Sequence, residues 1–113
     1  MTGITTHVLD TAAGLPAAGV AIRLEREAGG SWQALGRGVT DADGRLANLL
    51  PAGASLEAGR YRLTFETGAY FAARGSTVFH PVVEIQFEVE AGRRHCHVPL
   101  LVAPFGFTTY RGS

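Results

Sequence analysis

The sequence contains no lysine and a single cysteine, Cys96. One cysteine cannot form a disulfide within the chain, so the fold does not depend on an oxidising compartment. Charge is sparse: 18% of residues are charged, and ten arginines balance ten carboxylates. That balance leaves no basic footprint for nucleic acid and no polybasic stretch for a membrane surface. No apolar run approaches the roughly 18 residues of a transmembrane helix. The N-terminus lacks the basic-then-apolar pattern of a secretory signal. A cytoplasmic protein without membrane or nucleic-acid partners is therefore the expectation. Internal repeats, low-complexity tracts and linkers are also missing. With 113 residues, this points to one domain spanning residues 1–113.

What the chain does have is alternation. Val20, Ile22 and Leu24 alternate with Ala21, Arg23 and Glu25, and Tyr61, Leu63 and Phe65 with Arg62, Thr64 and Glu66. Ile4 to Leu9 and Val83 to Glu90 read the same way. A spacing of two is the strand signal, with one face buried and the other solvated. Turn signals separate the runs, among them Gly14-Leu15-Pro16, Gly29-Gly30, Asp43-Gly44 and Ala91-Gly92. The expectation is an all-β, two-sheet antiparallel sandwich. One short helix is expected between Thr67 and Gly75. Pro99 cannot donate to a sheet ladder, which predicts an edge or a bulge there. Trp32, Phe65 and Phe87 read as core residues.

Four histidines, His7, His80, His95 and His97, are candidates for acid–base work or metal binding. His95 and His97 lie two apart on a strand and share a face. No third ligand motif accompanies them, so the zinc signal is weak. Cys96 faces away from both and reads as a small buried residue rather than a nucleophile. By periodicity His7 is a solvated outer-face residue, and Arg45 is one arginine after a turn among ten. Residue types and spacing thus lead to a β-sandwich and name no reaction.

Longer blocks carry more. His95-Cys96-His97-Val98-Pro99-Leu100-Leu101, followed by Pro104-Phe105-Gly106-Phe107 and the end Tyr110-Arg111-Gly112-Ser113, resembles the C-terminal signature of 5-hydroxyisourate hydrolases. These enzymes belong to the transthyretin-like family. Ile4 to Asp10 resembles the family's first strand. Thr40-Asp41-Ala42-Asp43-Gly44-Arg45 resembles its central block, and Tyr61 to Phe71 fits as well. Four positions depart from it: Cys96, His80, Phe105 and Phe107 stand where tyrosine is common.

The resemblance implies a transthyretin-type sandwich and a hydrolase of urate degradation. Such an enzyme opens 5-hydroxyisourate at a cyclic amide bond to give 2-oxo-4-hydroxy-4-carboxy-5-ureidoimidazoline. Carried over by position, His7, Arg45 and His97 would be catalytic, and His7, Arg45, Tyr110 and Ser113 would bind substrate. The histidines would activate water and return its proton, with neither chosen as principal base. No metal or other cofactor is implied. The family also implies a homotetramer, a dimer of dimers around a channel holding the sites. The alternative is a non-enzymatic carrier using the same channel, as transthyretin is for hormones.

Overall fold

A computed structural model describes residues 3–113; the first two residues of the expected domain lie outside the described residues. Two sheets pack face to face. The first contains β1 (Gly3–Asp10), β2 (Leu15–Pro16), β5 (Arg45–Leu46), β8 (His95–Ala103) and β9 (Gly106–Thr109). The second runs in the order β4 (Ser31–Val39), β3 (Ala21–Ala28), β6 (Gly59–Phe65), β7 (Val83–Val89). All pairings are antiparallel except β1 with β8. This is the expected sandwich, with one parallel pair that alternation alone does not reveal.

The alternation is realised as burial. Ile4, Val8, Leu24, Leu63, Phe65 and Leu100 are fully buried between the sheets. Each such side chain contributes about 1.5–3 kcal/mol by leaving water. Trp32 departs from expectation. It lies on the edge strand β4, only partly buried, and the Arg62 guanidinium covers its ring at 4.4 Å. An edge strand has one neighbour, so its aromatic is capped by a long cation instead of by core.

The helix α1 (Thr67–Ala72) is shorter than the predicted stretch, which continues as a turn to Gly75. It buries Tyr70 and Phe71 against the sandwich. The Tyr70 hydroxyl donates to Asp10 Oδ2 at 2.8 Å, and Asp10 Oδ1 accepts the N–H groups of Ala12 and Ala13. The buried carboxylate thereby fixes the exit of β1 and the seat of the helix.

Pro99 is buried inside β8, between β1 and β9, and not at an edge. The register pairs Leu100 with Thr109 and His97 with Gly112. It would make Pro99 and Tyr110 a hydrogen-bonded pair, which proline cannot complete. The ladder breaks there and resumes where Gly112 N–H donates to the His97 carbonyl at 2.9 Å. The Thr109 hydroxyl takes the Pro99 carbonyl at 2.7 Å. The chain end is thus docked beside His97, as its β-prone composition suggests. Among the described residues no helix is long and apolar enough to cross a membrane.

Candidate active site

The outer face of the first sheet collects the polar residues. Odd positions of β1 and β8 point away from the core, which brings Thr5, His7, His95 and His97 to one side. In the parallel register Thr5 lies beside His97, and His7 beside Pro99. On the other flank of β1, Arg45 lies opposite His7.

The loop before Arg45 is built to hold that position. Asp41 Oδ1 accepts the N–H groups of Asp43 at 2.9 Å and Arg45 at 3.0 Å. These donors, Arg45 first, hold the Asp41 carboxyl below its ordinary range; partial desolvation opposes them. Gly44 turns the chain at φ +76°, and a Cβ there would strike the Val8 carbonyl. Only glycine allows this approach.

His7 Nε2 lies 2.8 Å from the Asp43 carbonyl oxygen. A carbonyl only accepts, so this nitrogen carries a proton and donates. His97 is oriented differently. Its Nδ1 lies 2.8 Å from the Thr5 hydroxyl, and the same hydroxyl stands 3.5 Å from His95 Nε2. The His95 and His97 rings are nearly parallel, with centroids 6.3 Å apart. His95 Nδ1 is buried without a partner. Burial lowers the His97 pKa, and the charges of His95, His7 and Arg45 lower it further, against a backbone contact with Thr5. Its imidazole is therefore more often neutral than that of a solvated histidine at the same pH.

Thr5, Arg45, Ala47, His95, His97 and Ser113 line a cavity of roughly 190 Å³, with Thr6 and Leu46 completing it. Of the residues expected at the site, Arg45, His97 and Ser113 meet there. His7 is held beside Arg45 but does not line the cavity. Tyr110 does not line it either: it is 58% exposed and borders a hollow at the sheet edge with Arg111, Cys96 and Val98. Thr5, which has no role in the sequence reading, also lines the cavity, as does His95, a candidate there only as one of four histidines and as a weak metal pair with His97. The signal available for Thr5 was its spacing of two from His7.

Cys96 points into the core at 6% exposure, and burial raises its thiol pKa against the opposing charges of Arg93 and Arg111. Such a thiol is a poor nucleophile. Among the described residues no group of three His, Cys, Asp or Glu side chains is placed to hold a metal ion.

A two-sheet sandwich with imidazoles and a guanidinium on the outer face of one sheet defines a transthyretin-type protein. The comparisons narrow this. The model of the HIUase/Transthyretin family matches residues 4–112, and the chain belongs to that family. It is 50% identical to a 5-hydroxyisourate hydrolase of Caulobacter vibrioides over the whole of both proteins. It is 44% identical to the mouse 5-hydroxyisourate hydrolase, covering 97% of this chain and 94% of that protein. Among solved structures it resembles Klebsiella pneumoniae 5-hydroxyisourate hydrolase, with a TM-score of 0.84 and 44% identity over 97% of this chain and 98% of that one. Transthyretin from Sparus aurata superposes with a TM-score of 0.91 at 36% identity, covering 99% of this chain and 97% of that one.

Proposed function

We propose that this chain is a 5-hydroxyisourate hydrolase of urate degradation, a single domain opening its substrate at a cyclic amide C–N bond. The three hydrolases named above carry that activity in their names, and each matches at least 97% of this chain. The observation that carries the mechanism is the orientation of His97. Thr5 engages Nδ1, while Gly112 lies against the Cδ2 edge, where an added Cβ would come within 2.5 Å. The ring corner left for a ligand is therefore Cε1–Nε2. Arg45 and Ser113 share the same cavity.

In this reading a water molecule is deprotonated at His97 Nε2 as it adds to the ring carbonyl carbon. The Arg45 guanidinium stabilises the negative charge that develops on the carbonyl oxygen. The C–N bond then breaks, and His97 returns its proton to the departing nitrogen. One water is consumed and no redox change occurs. His7, with Nε2 already donating to the Asp43 carbonyl, braces the turn that carries Arg45. The scheme needs no metal ion. Ser113 lines the wall of the pocket. Tyr110 lies outside this cavity, against a separate hollow at the sheet edge; a substrate-binding role for it would need the chain end to turn toward the pocket.

The assembly is proposed to be a cytoplasmic homotetramer, two dimers enclosing the outer faces in a channel. Leu15 and Phe105 are exposed on this chain at 63% and 72%, which a partner subunit would relieve. A carrier function for the same channel is the competing reading, supported by the transthyretin superposition. The deciding assay follows the decay of 5-hydroxyisourate freshly made by urate oxidase, with wild type, Arg45→Ala and a chelator. Acceleration by wild type that survives the chelator and disappears in Arg45→Ala supports the hydrolase. A folded wild-type protein that leaves the decay unchanged favours the carrier.

A further inference from the structure

We infer that Thr5 is a positioning residue for His97, its hydroxyl accepting the Nδ1 proton so that the Nε2 lone pair faces the cavity.

A neutral imidazole carries one proton on either of two nitrogens, and only the bare one can act as a base. Some contact must choose. Thr5 is 5% exposed, and its Oγ1 lies 2.8 Å from His97 Nδ1, within hydrogen-bond distance. The placement comes from the backbone, because Thr5 and His97 are register partners across the parallel β1–β8 pair. Neither residue can shift without breaking a buried ladder. The neighbouring Thr6 hydroxyl donates to the Val98 carbonyl and pins the two strands at the adjacent position.

The second wall is Gly112. Its backbone donates to the His97 carbonyl, and a Cβ at this position would sit 2.5 Å from His97 Cδ2 and 3.2 Å from Cγ. The ring is thus held on its Nδ1 side by a hydroxyl and on its Cδ2 side by the chain end. His95 Nε2, 3.5 Å from the same hydroxyl, is the group that can accept a hydrogen bond from Thr5 when it is the bare nitrogen of that ring. This sets the Thr5 oxygen free to accept from His97.

The inference deepens the proposed hydrolase and rests on it for its catalytic meaning; its structural half can be tested without substrate. Two variants serve: Thr5→Val keeps the shape and removes the hydroxyl, and Thr5→Ser keeps the hydroxyl. The ring nitrogens of His97 are read by ¹⁵N NMR in the intact protein above its titration range. Wild type and Thr5→Ser should show the Nδ1–H form, and Thr5→Val a shift toward Nε2–H. In turnover of 5-hydroxyisourate, Thr5→Val should lose at least about tenfold in kcat with KM within about twofold, and Thr5→Ser should recover most of it. A base in the wrong tautomer is far more costly than a lost contact elsewhere. An Nε2–H wild-type ring, or a Thr5→Val protein with unchanged tautomer and kcat, overturns the inference. If wild type is folded but inactive, the hydrolase reading fails, and the NMR result still decides the role of Thr5.

Discussion

Arg45 faces His7 across the antiparallel pairing of β5 with β1, thirty-eight positions later in the chain. Two strands that touch over only two residues bring them together, and the Asp41–Gly44 turn holds the contact. The turn in turn receives the His7 Nε2 proton at the Asp43 carbonyl. The histidine and the arginine are therefore one mechanical unit, and a change at either should disturb the other.

Arg45→Ala and His97→Ala should each lower kcat/KM at least about a hundredfold, the range for positioned acid–base and charge-stabilising groups, and His7→Ala should approach the Arg45→Ala loss because it removes the brace on the turn that carries Arg45. The losses for His7 and Arg45 should be less than additive in the double variant, because they share the turn. Steady-state kinetics on the two singles and the double check this. Simple multiplication of the two losses would separate them.

Activity should persist to lower pH than an ordinary histidine base allows. Burial and the charges of His95, His7 and Arg45 depress the His97 pKa, so its basic form survives below the usual value of about 6.5. The sign for stability is the reverse of a paired histidine. Between the depressed folded pKa and the ordinary unfolded one, the unfolded chain binds more protons. This group therefore favours unfolding as pH falls through that window and adds nothing above it. A kcat–pH profile with its acid limb below that of free histidine is the expected measurement.

Gly112→Ala should reduce kcat about tenfold or more while the melting temperature moves little. The added methyl meets the His97 ring at Cδ2 and Pro99 Cγ at 3.1 Å. The clash falls on one ring and one proline edge rather than on the core, so stability is spared, but the base is displaced by a fraction of an ångström, which reaction geometry tolerates poorly. Thermal melts beside kinetics distinguish this from general unfolding. A parallel loss of both would mean that the chain end is structural.

Tyr70→Phe should destabilise the fold by about 1–3 kcal/mol, the cost of leaving a buried polar atom without its partner. The phenol donates to Asp10 Oδ2 at 2.8 Å, and Asp10 is 3% exposed. Desolvation first, and then the hydrogen bond to Asp10, raise the Tyr70 pKa, so the phenol stays a donor well into the alkaline range. Denaturant unfolding measures the loss. Activity per folded molecule should hold, since α1 lies away from the cavity.

The outline of the sandwich was legible because alternation fixes which face of a strand is buried, whatever its partner. Val20, Ile22 and Leu24 read as core from spacing alone, and they are. Trp32 misled because hydrophobicity does not say whether a strand lies at an edge. Pro99 misled because the expected ladder break occurs inside the sheet, where a threonine hydroxyl takes the orphaned carbonyl. His7, Arg45 and His97 were picked out by family resemblance rather than by periodicity, which placed His7 in solvent. Thr5 was passed over because its contact is with a residue ninety-two positions away.

The sequence by itself determined the alternating strands β1, β3, β6 and β7 with their buried faces, the turn glycines between the runs and the family, but not the edge strand β4. These follow from local rules: a period of two, a positive φ, a block of matched residues. The tertiary structure alone decided which strands are neighbours, that β1 and β8 run parallel, and which nitrogen of each histidine is engaged. Pairing partners are chosen by the global fit of two sheets around one core, and a hydrogen bond exists only once both atoms are in place. Hence the chain names its histidines, and only the folded sheet gives His7 a carbonyl to hold and His97 a hydroxyl at its back.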